Sequence, residues 1–249
     1  MDVREFFGKN AEKYANSKSH AKGKDLEILI NLLDPGNGSY AIDLAAGTGF
    51  TAIALAKKVG HVVAYDLTSE MLDEARKLAK NEGAGNVEFR NGDVADLPFE
   101  DSHFDIATCR RAAHHFKDKM AFLIEVKRVL KNGGKLGLVD MAAPENDPKD
   151  LFNRLERIRD SSHVKAESVS SWESLVKESG LKEGKVEIMV ERITLASWLY
   201  PIAPDSEEGR KCRELVDSNL EDFTKAVEYD PKDDSFAKRR FILIAEKPL

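Results

Sequence analysis

This chain has only two cysteines, no long apolar run and no excess of positive charge. Each of these features excludes a class of protein. The two cysteines, Cys109 and Cys212, have no paired spacing, so we predict no metal site and no disulfide framework. No apolar run approaches the roughly 20 residues of a bilayer span, and the amino-terminal stretch lacks the apolar core of a secretory signal. We therefore expect a cytoplasmic protein without a membrane span. The formal net charge of −6 argues against nucleic acid as a partner.

An apolar strand, an acid and a turn of small residues follow one another in residues 41–52. Gly47 and Gly49 allow a positive φ and let a ligand approach the backbone without meeting a Cβ atom. Gly47-x-Gly49-x-x-Ala52 also satisfies the loose fingerprint of dinucleotide sites, so the turn alone fits several nucleotide-like cofactors. Asp43 narrows the choice, because a carboxylate there repels a pyrophosphate but suits the ammonium group of S-adenosyl-L-methionine (SAM).

Two further acids lie at predicted strand ends downstream. Asp66 closes the apolar strand 62–66 and lies 19 residues after Gly47, near the spacing of roughly 20 at which an acid reaches ribose hydroxyls. Asp93 follows a short strand near 87–90, and its carboxylate can accept a hydrogen bond from an adenine amine. A fourth strand, 104–109, leads into His114 and His115.

Apolar positions at helical spacing alternate with these strands. Leucine and isoleucine recur three and four residues apart in 26–33, and similar faces are found in 71–79 and 122–130. Together with strands near 40–44, 62–66, 87–90, 104–109 and 135–141, this alternation predicts βαβ units and a parallel sheet. Ligands of such sheets bind beyond the carboxyl ends of the strands. We therefore expect Asp43, Asp66 and Asp93 to converge there.

These motifs resemble those of class I SAM-dependent methyltransferases, in particular the branch similar to the ubiquinone and menaquinone biosynthesis methyltransferases. The resemblance is specific over about residues 40–141 and is carried by Asp43, Ala45, Gly47, Gly49, Asp66, residues 92–99, Phe104, Asp105, residues 114–116, residues 128–134 and Asp140. It implies an α/β fold with a Rossmann-like, seven-stranded, mostly parallel sheet, helices on both faces, an antiparallel last strand and a helical lid or insertion. It also implies SAM as cofactor, S-adenosyl-L-homocysteine (SAH) as its product, and a small-molecule methyl acceptor.

Ala45 departs from the family pattern, which usually has glycine at this position. We expect no positive φ at Ala45, because the Cβ atom of alanine makes a positive φ sterically unfavourable. Carried over residue by residue, the resemblance gives this predicted cofactor-binding set: Tyr14, Asp43, Ala45, Gly47, Gly49, Asp66, Leu67, Met71, Asp93, Val94, Cys109 and Arg110. Core packing is nearly as good an interpretation of Met71, and Asp93 also fits ordinary turn chemistry.

His114 and His115 invite two functional interpretations, a metal site and a catalytic base. Adjacent residues diverge by about 100° on a helix and point to opposite faces of a strand, so they chelate one ion poorly. We therefore predict no metal there. Because the segment leaves the fourth strand where the methyl group is expected, either histidine is a candidate general base. The alternative is a helix start at which both imidazoles bond to backbone.

Four more side chains have competing interpretations. Arg111 either binds an anionic acceptor or pairs with a nearby acid, and we favour the pair. His163 is expected to be exposed unless its segment folds over the cleft. Trp198 and Tyr200 either line an apolar acceptor pocket or, as we favour, pack in the core or lid.

We predict one methyltransferase domain over residues 1–249, with a helical flap at 1–35 that includes Phe7 and His20, and a substrate-side insertion at 142–225. The predicted reaction is in-line attack of a small-molecule acceptor on the SAM methyl group. Two alternatives stay open. One is an NAD-dependent oxidoreductase with the same glycine turn, which Asp43 and Asp93 disfavour; the other is a SAM-binding protein without catalysis.

Overall fold

A seven-stranded sheet is the centre of the protein, which is described by a computed structural model over residues 3–16, 21, 23–200 and 202–249. The strands are β1 Tyr40–Leu44, β2 His61–Asp66, β3 Val87–Asn91, β4 Phe104–Arg110, β5 Leu130–Met141, β6 Lys182–Thr194 and β7 Ser235–Glu246. The helices are α1 Val3–Ala15, α2 Lys24–Leu33, α3 Phe50–Ala56, α4 Ser69–Asn81, α5 Lys119–Val129, α6 Leu151–Arg159, α7 Val169–Glu178, α8 Leu195–Leu199, α9 Glu207–Asp217 and α10 Leu220–Val227, with a 3-10 helix at Ala113–His115.

The strand order β3-β2-β1-β4-β5-β7-β6 confirms the predicted Rossmann-like α/β fold. Strands β1 to β5 pair in parallel, whereas the last strand, β7, is antiparallel to both β5 and β6. Helices cover both faces, so β1, β2 and β4 are buried over most of their length. The winding direction reverses between β1 and β4, which opens a crevice beyond the carboxyl ends of these strands.

The two faces of the sheet are covered by different helices. On one face, α5 and α7 bury Phe122 and Trp172 against the strands. On the other face, Leu29 and Leu33 of α2 and Leu55 of α3 pack on the sheet. Burying each such side chain contributes roughly 1.5–3 kcal/mol. The strand ends that border the crevice are therefore held on a rigid platform.

The amino-terminal helix α1 packs against α4 beside the crevice. Its Phe7 ring lies 5.3 Å from the Tyr14 ring and 5.0 Å from the His115 ring, measured between centroids. Helix α2, by contrast, belongs to the layer that covers the sheet. His20, which we assigned to the flap, lies outside the described residues.

A second hydrophobic cluster lies between the helices that follow β5 and the first residues of β7. Its members include Leu155 of α6, Trp198 of α8, Phe223 of α10 and Phe236 of β7. The loop after α6 is tied to the crevice, because the backbone N–H groups of residues 164 and 165 both donate to the His114 carbonyl at 3.0 Å.

Element boundaries differ from the prediction in the carboxyl-terminal half. Helix α5 ends at Val129 and β5 begins at Leu130, whereas we expected Leu130 on the helix and the strand to begin near 135. Leu130 pairs with Phe104 of β4, so pairing in the sheet outweighs helical spacing. The last part of the predicted insertion contains three helices, α8, α9 and α10. Of the helices in the described ranges, none is long and apolar enough to cross a membrane.

Candidate cofactor and acceptor site

A cavity of about 430 Å³ opens beyond the carboxyl ends of β1, β2 and β4, with α1 on one side. This volume lies within the range of small-molecule sites. Ten of the predicted site residues line it: Tyr14, Ala45, Gly47, Asp66, Leu67, Met71, Asp93, Val94, Arg110 and His115. The lining does not include Asp43, Gly49, Cys109 or His114, and it adds residues that sequence reasoning missed, among them Arg4, Thr48 and Lys117.

The carboxylate of Asp66 borders the cavity at the end of β2. Its Oδ2 accepts the N–H of Gly47 at 2.7 Å, and its Oδ1 accepts the N–H of Thr68 at 2.8 Å. Burial raises the pKa of Asp66, and these two N–H groups oppose that shift. Each carboxylate oxygen has a second acceptor position. The Thr68 side chain also bonds to this carboxylate, and Asp66 still has acceptor capacity for a ligand diol.

The turn after β1 has left-handed backbone at Ala45, Gly47 and Gly49, with φ of +53°, +54° and +84°. The expectation that Ala45 avoids a positive φ is therefore wrong, because the turn requires this geometry and alanine accepts it at a cost of roughly 1–2 kcal/mol. A Cβ atom on Gly47 would lie 3.2 Å from Cε of Met71. Glycine at this position keeps the cavity wall clear.

Gly49 and Cys109 do not line the cavity and contribute to packing, so their assignment to the cofactor set stays a prediction. Gly49 is the N-cap of α3, and a Cβ atom there would lie 3.0 Å from the Cβ of Ala75 in α4. Its small size therefore allows α3 and α4 to approach each other. Cys109 is fully buried in the core cluster that contains Phe122, and burial raises the pKa of its thiol.

Asp43 lies beneath the turn, with 1% of its surface exposed. Its Oδ1 accepts a hydrogen bond from Thr108 Oγ1 at 2.8 Å, which ties β1 to β4. Its buried Oδ2 has no partner among the described residues. Burial raises the pKa of this carboxyl to about 7, although Thr108 and Arg110 oppose the shift. Asp43 is not among the residues that line the cavity, and its contact with a ligand ammonium stays a prediction.

Asp93, Val94 and Met71 form the side of the cavity away from β4. The exposed Asp93 accepts the N–H of Ala95 at 3.0 Å, which leaves its other carboxylate oxygen available. Val94 and Met71 are buried at 8% and 5% exposure and still line the cavity. Met71 thus fits both of its predicted interpretations. A hydrogen-bond acceptor beside apolar surface is the environment that an adenine ring requires.

His115 borders the cavity, and Ser162 holds its ring in place. Its Nδ1 lies 3.0 Å from the Ser162 carbonyl and 3.2 Å from Ser162 Oγ, which in turn donates to Asp160 Oδ1 at 2.6 Å. A carbonyl only accepts, so Nδ1 carries the proton and Nε2 keeps a lone pair. Burial and the neighbouring His114 lower the pKa of His115 to about 4. The lone pair is therefore available at neutral pH.

His114 does not line the cavity and is held by Asp140, so its role as a candidate base stays a prediction. Its Nδ1 lies 2.6 Å from Asp140 Oδ1, and its backbone N–H donates to Asp140 Oδ2 at 2.8 Å. Burial lowers the pKa of His114, but Asp140 outweighs burial and the net shift is upward. Across the described part of the chain, no group of three or more His, Cys, Asp or Glu side chains is arranged to hold a metal ion.

The segment after α6 folds over this region and changes the environment of His163. We expected exposure, but His163 is buried, and its Nε2 lies 2.8 Å from Asn153 Oδ1. Trp198 packs in the core of the insertion, as we favoured, and donates from Nε1 to Glu156 Oε1 at 3.2 Å. Tyr200 is 80% exposed, so it neither lines a pocket nor packs in a core.

Arg111 pairs with an acid, as we favoured, and the acid is Asp25 of α2. Arg111 Nη2 lies 2.7 Å from Asp25 Oδ1, and Arg110 Nε lies 3.0 Å from Asp25 Oδ2. Sequence reasoning missed Asp25, because an acid in the first turn of a helix is common for reasons of helix dipole alone. Both arginines also line the cavity.

Comparison with known proteins agrees with this geometry. Residues 42–138 match the family model described as a methyltransferase domain. The chain is 40% identical to the uncharacterised methyltransferase YcgJ of Bacillus subtilis over 201 residues, which cover 80% of this chain and 76% of that protein. It is 37% identical to the demethylmenaquinone methyltransferase of Lactobacillus johnsonii over 113 residues, 44% of this chain and 46% of that protein. A candidate methyltransferase from Bacillus halodurans C-125 has a similar structure, with a TM-score of 0.84, 34% identity, and coverage of 91% of this chain and 100% of that one. This chain belongs to the class I methyltransferase family and is a SAM-dependent methyltransferase.

Proposed function

We propose that the protein methylates a small-molecule acceptor bound in the same cavity as SAM. The observation that carries this proposal is that Asp66 and His115 border one cavity. The first offers carboxylate oxygens suited to a ribose diol, and the second offers an unprotonated ring nitrogen. Holding both reactants in one cavity provides proximity and alignment, which contribute up to about 7–11 kcal/mol in favourable intramolecular models.

The residues that line the cavity fit SAM. Asp66 would accept hydrogen bonds from the ribose hydroxyls, and Asp93 one from the adenine amine, with the ring between Met71 and Val94. Gly47, which has no side chain toward the cavity, would let the methionine portion approach the backbone. The remaining proposed contacts are Tyr14, Ala45, Leu67 and Arg110.

SAM, when bound, supplies an activated methyl group, so the protein's own contribution lies in holding the acceptor and its proton. His115 is the proposed general base for an acceptor that must lose a proton before or during attack. Ser162 fixes the ring through Nδ1, and Asp160 fixes Ser162. This arrangement keeps Nε2 in its basic form, because donation from Nδ1 settles the tautomer.

The test of this proposal combines binding with turnover. A ligand that binds only the native state adds about 2.7 kcal/mol of stability at a hundredfold excess over its dissociation constant. SAM and SAH are expected to raise the melting temperature, and NAD to leave it unchanged. A shift with NAD alone would instead support an oxidoreductase.

Methyl transfer from labelled SAM is then measured against quinone precursors, small amines and phenols. Transfer to at least one class is the expected result. SAH binding without transfer to any of them would favour a SAM-binding protein without catalysis.

A further inference from the structure

The two edge strands of the sheet differ in length and in the side chains that they expose. The edge strand β3 has five residues, and its exposed positions are the polar Arg90 and Asn91. The other edge strand, β6, has 13 residues and pairs only with β7 among the described residues. It presents Ile188 and Val190 to solvent, with 54% and 61% of their surface exposed. A long edge with exposed apolar side chains is a template for pairing with another strand.

The exposed apolar side chains lie together on one face of β6. Residues two apart on a strand share a face, so Val186, Ile188 and Val190 form one apolar strip. Val186 packs on the core cluster that contains Trp172. Ile188 lies opposite the buried Phe241 of β7. The strip therefore continues the hydrophobic core of this face to the edge of the sheet.

The usual protections of an exposed edge are weak in β6. Natural edge strands are often protected by proline, by bulges or by inward-pointing charges. Residues 182–194 contain no proline, and the pairing with β7 is irregular between Glu183 and Val186, near the start of the strand. Residues 186–190 include one charged residue, Glu187. The edge is therefore regular over its apolar centre and is available for pairing there.

We propose that β6 pairs antiparallel with β6 of a second copy of this chain, across a two-fold axis at Ile188. In this register Val186 lies opposite Val190 of the second copy, and Ile188 lies opposite its own counterpart. Lys185 lies opposite Glu191 of the second copy, so the symmetric pairing brings opposite charges together twice. Apolar and opposite-charge cross-strand pairs both stabilise antiparallel sheets. Two-fold, self-complementary interfaces are the commonest in soluble oligomers.

The side chains of β6 favour this register over its neighbours. An axis at Glu187 would place this residue opposite its own counterpart, and an axis at Met189 would place Glu187 opposite Glu191. Like charges directly opposite one another destabilise a sheet. An axis two residues away in either direction would place Ile188 opposite a glycine or an arginine. Lys185 already contacts Glu187 within the chain, with 2.7 Å between Nζ and Oε1, but it is 61% exposed and can also contact an acid of the second copy.

The proposed interface is separate from the cavity. Within the described chain, no residue of β6 lines the cavity. The inference therefore goes beyond the proposed function and does not depend on it. Loss of the pairing should leave the affinity for SAH unchanged.

The first experiment measures the oligomeric state by analytical ultracentrifugation. The wild type is expected to be a dimer that dissociates on dilution. Ile188→Lys places two ammonium groups opposite each other at the axis and should raise the dissociation constant of the dimer at least about tenfold, because juxtaposed like charges oppose association. Ile124 of α5, which is 52% exposed, provides the matched control, and Ile124→Lys should remain dimeric. Circular dichroism and SAH affinity, both expected at wild-type values, show that the variants are folded.

A second experiment tests the register by disulfide formation. Opposed residues of antiparallel strands have Cα atoms about 4.5–5.5 Å apart, within the range of about 4.4–6.8 Å that a disulfide bridges. Ile188→Cys should therefore form a disulfide-linked dimer under mild oxidation. Val190→Cys should not, because its two copies would lie four residues, about 13 Å, apart along the strands. The natural Cys109 and Cys212 are both buried, so the wild type should form no such dimer on a non-reducing gel.

Three results would overturn the inference while the proposed function stands. The first is a wild type that stays monomeric up to about 100 μM, which would leave the edge to an extended segment of another protein. The second is a dimer that Ile188→Lys does not weaken, since the copies would then meet through another surface. The third is disulfide formation by Val190→Cys as fast as by Ile188→Cys. Failure of the wild type to bind SAH would instead contradict the proposed function.

Discussion

The two sides of the cavity are built by different means. Beside β1 and β2, the wall is mainly backbone: a turn with left-handed residues, and the Gly47 N–H held by Asp66. Beside β4, the wall includes the charged side chains of Arg110 and Arg111, which are held by Asp25 from a distant part of the chain. A site built from local backbone geometry therefore has a recognisable sequence motif. A site built from side chains that converge only after folding has almost none.

The largest expected effect is on the β4 side, at His115. His115→Asn should lower turnover roughly 10²–10⁴-fold, the usual contribution of a general base, and should leave SAH affinity nearly unchanged. Steady-state kinetics and calorimetric titration measure the two quantities. His61→Asn, which changes a half-exposed histidine of β2, is the control and should retain wild-type turnover. Normal turnover in folded His115→Asn would remove His115 from the mechanism.

The same residue predicts a pH profile. Because the pKa of His115 is lowered to about 4, the basic form already predominates at pH 6 to 8, and turnover should not change there through its titration. An acid limb is expected as the pH falls toward about 4. An acid limb near the ordinary histidine pKa of about 6.5 would contradict the assignment of His115 as a neutral base.

Loss of the shared acid should destabilise the fold most. Asp25→Asn leaves two buried guanidinium groups without their carboxylate, and breaking a buried pair in this way costs about 3–5 kcal/mol. Denaturant unfolding at pH 7 measures the loss of unfolding free energy. Glu27→Gln, which changes an exposed acid on the same helix, should lie within about 0.5 kcal/mol of the wild type.

The sign of the pH dependence follows from the depressed pKa of Asp25, to which the two arginines contribute against the effect of burial. A group with a lowered folded pKa stabilises the protein above its unfolded pKa, and this stability is lost as the pH falls through the folded value. The difference in stability between wild type and Asp25→Asn should therefore be full above about pH 4 and shrink in acid. A difference that grows in acid would contradict the ion-pair account.

On the β2 side, the expected effect is on affinity. Asp66→Ala should weaken SAM binding at least about tenfold, since hydrogen bonds to charged groups contribute roughly 1.5–3 kcal/mol each. Asp93→Ala should cost less, because the exposed Asp93 would accept a single hydrogen bond from adenine. Calorimetric titration of both folded variants provides the ranking. Unchanged affinity in Asp66→Ala would remove the ribose assignment.

The smallest effect tests the backbone of the turn. Ala45→Gly should stabilise the protein by up to about 1 kcal/mol, because relief of the left-handed penalty of roughly 1–2 kcal/mol exceeds the gain in unfolded-chain entropy of about 0.4–1 kcal/mol. Ala46→Gly, at a neighbour without a positive φ, should be destabilising. Equal effects of the two substitutions would indicate that the turn relaxes in solution.

The fold and half of the site were accessible from the sequence for a physical reason. Helical and strand periodicities report which face of an element is buried, and strand ends followed by acids report where a parallel sheet binds ligands. The spacing of Gly47 and Asp66 therefore predicted their meeting in the cavity. Ala45 shows the limit of this reasoning. The residue type predicted no positive φ, whereas the turn requires one.

Packing between segments that are distant in the sequence decided the remaining part of the site. The identity of neighbouring residues does not reveal that Asp140 holds His114 beneath the cavity while Ser162 presents His115 to it, because those partners lie 26 and 47 residues away. Asp25 contacts Arg110 across 85 residues, and Asp43 accepts a hydrogen bond from Thr108 across 65 residues. By itself, the sequence determined the sheet, the glycine turn and the positions of the acids. Only the tertiary structure decided which of these side chains face the cavity, because burial and charge pairing depend on segments that meet only after folding.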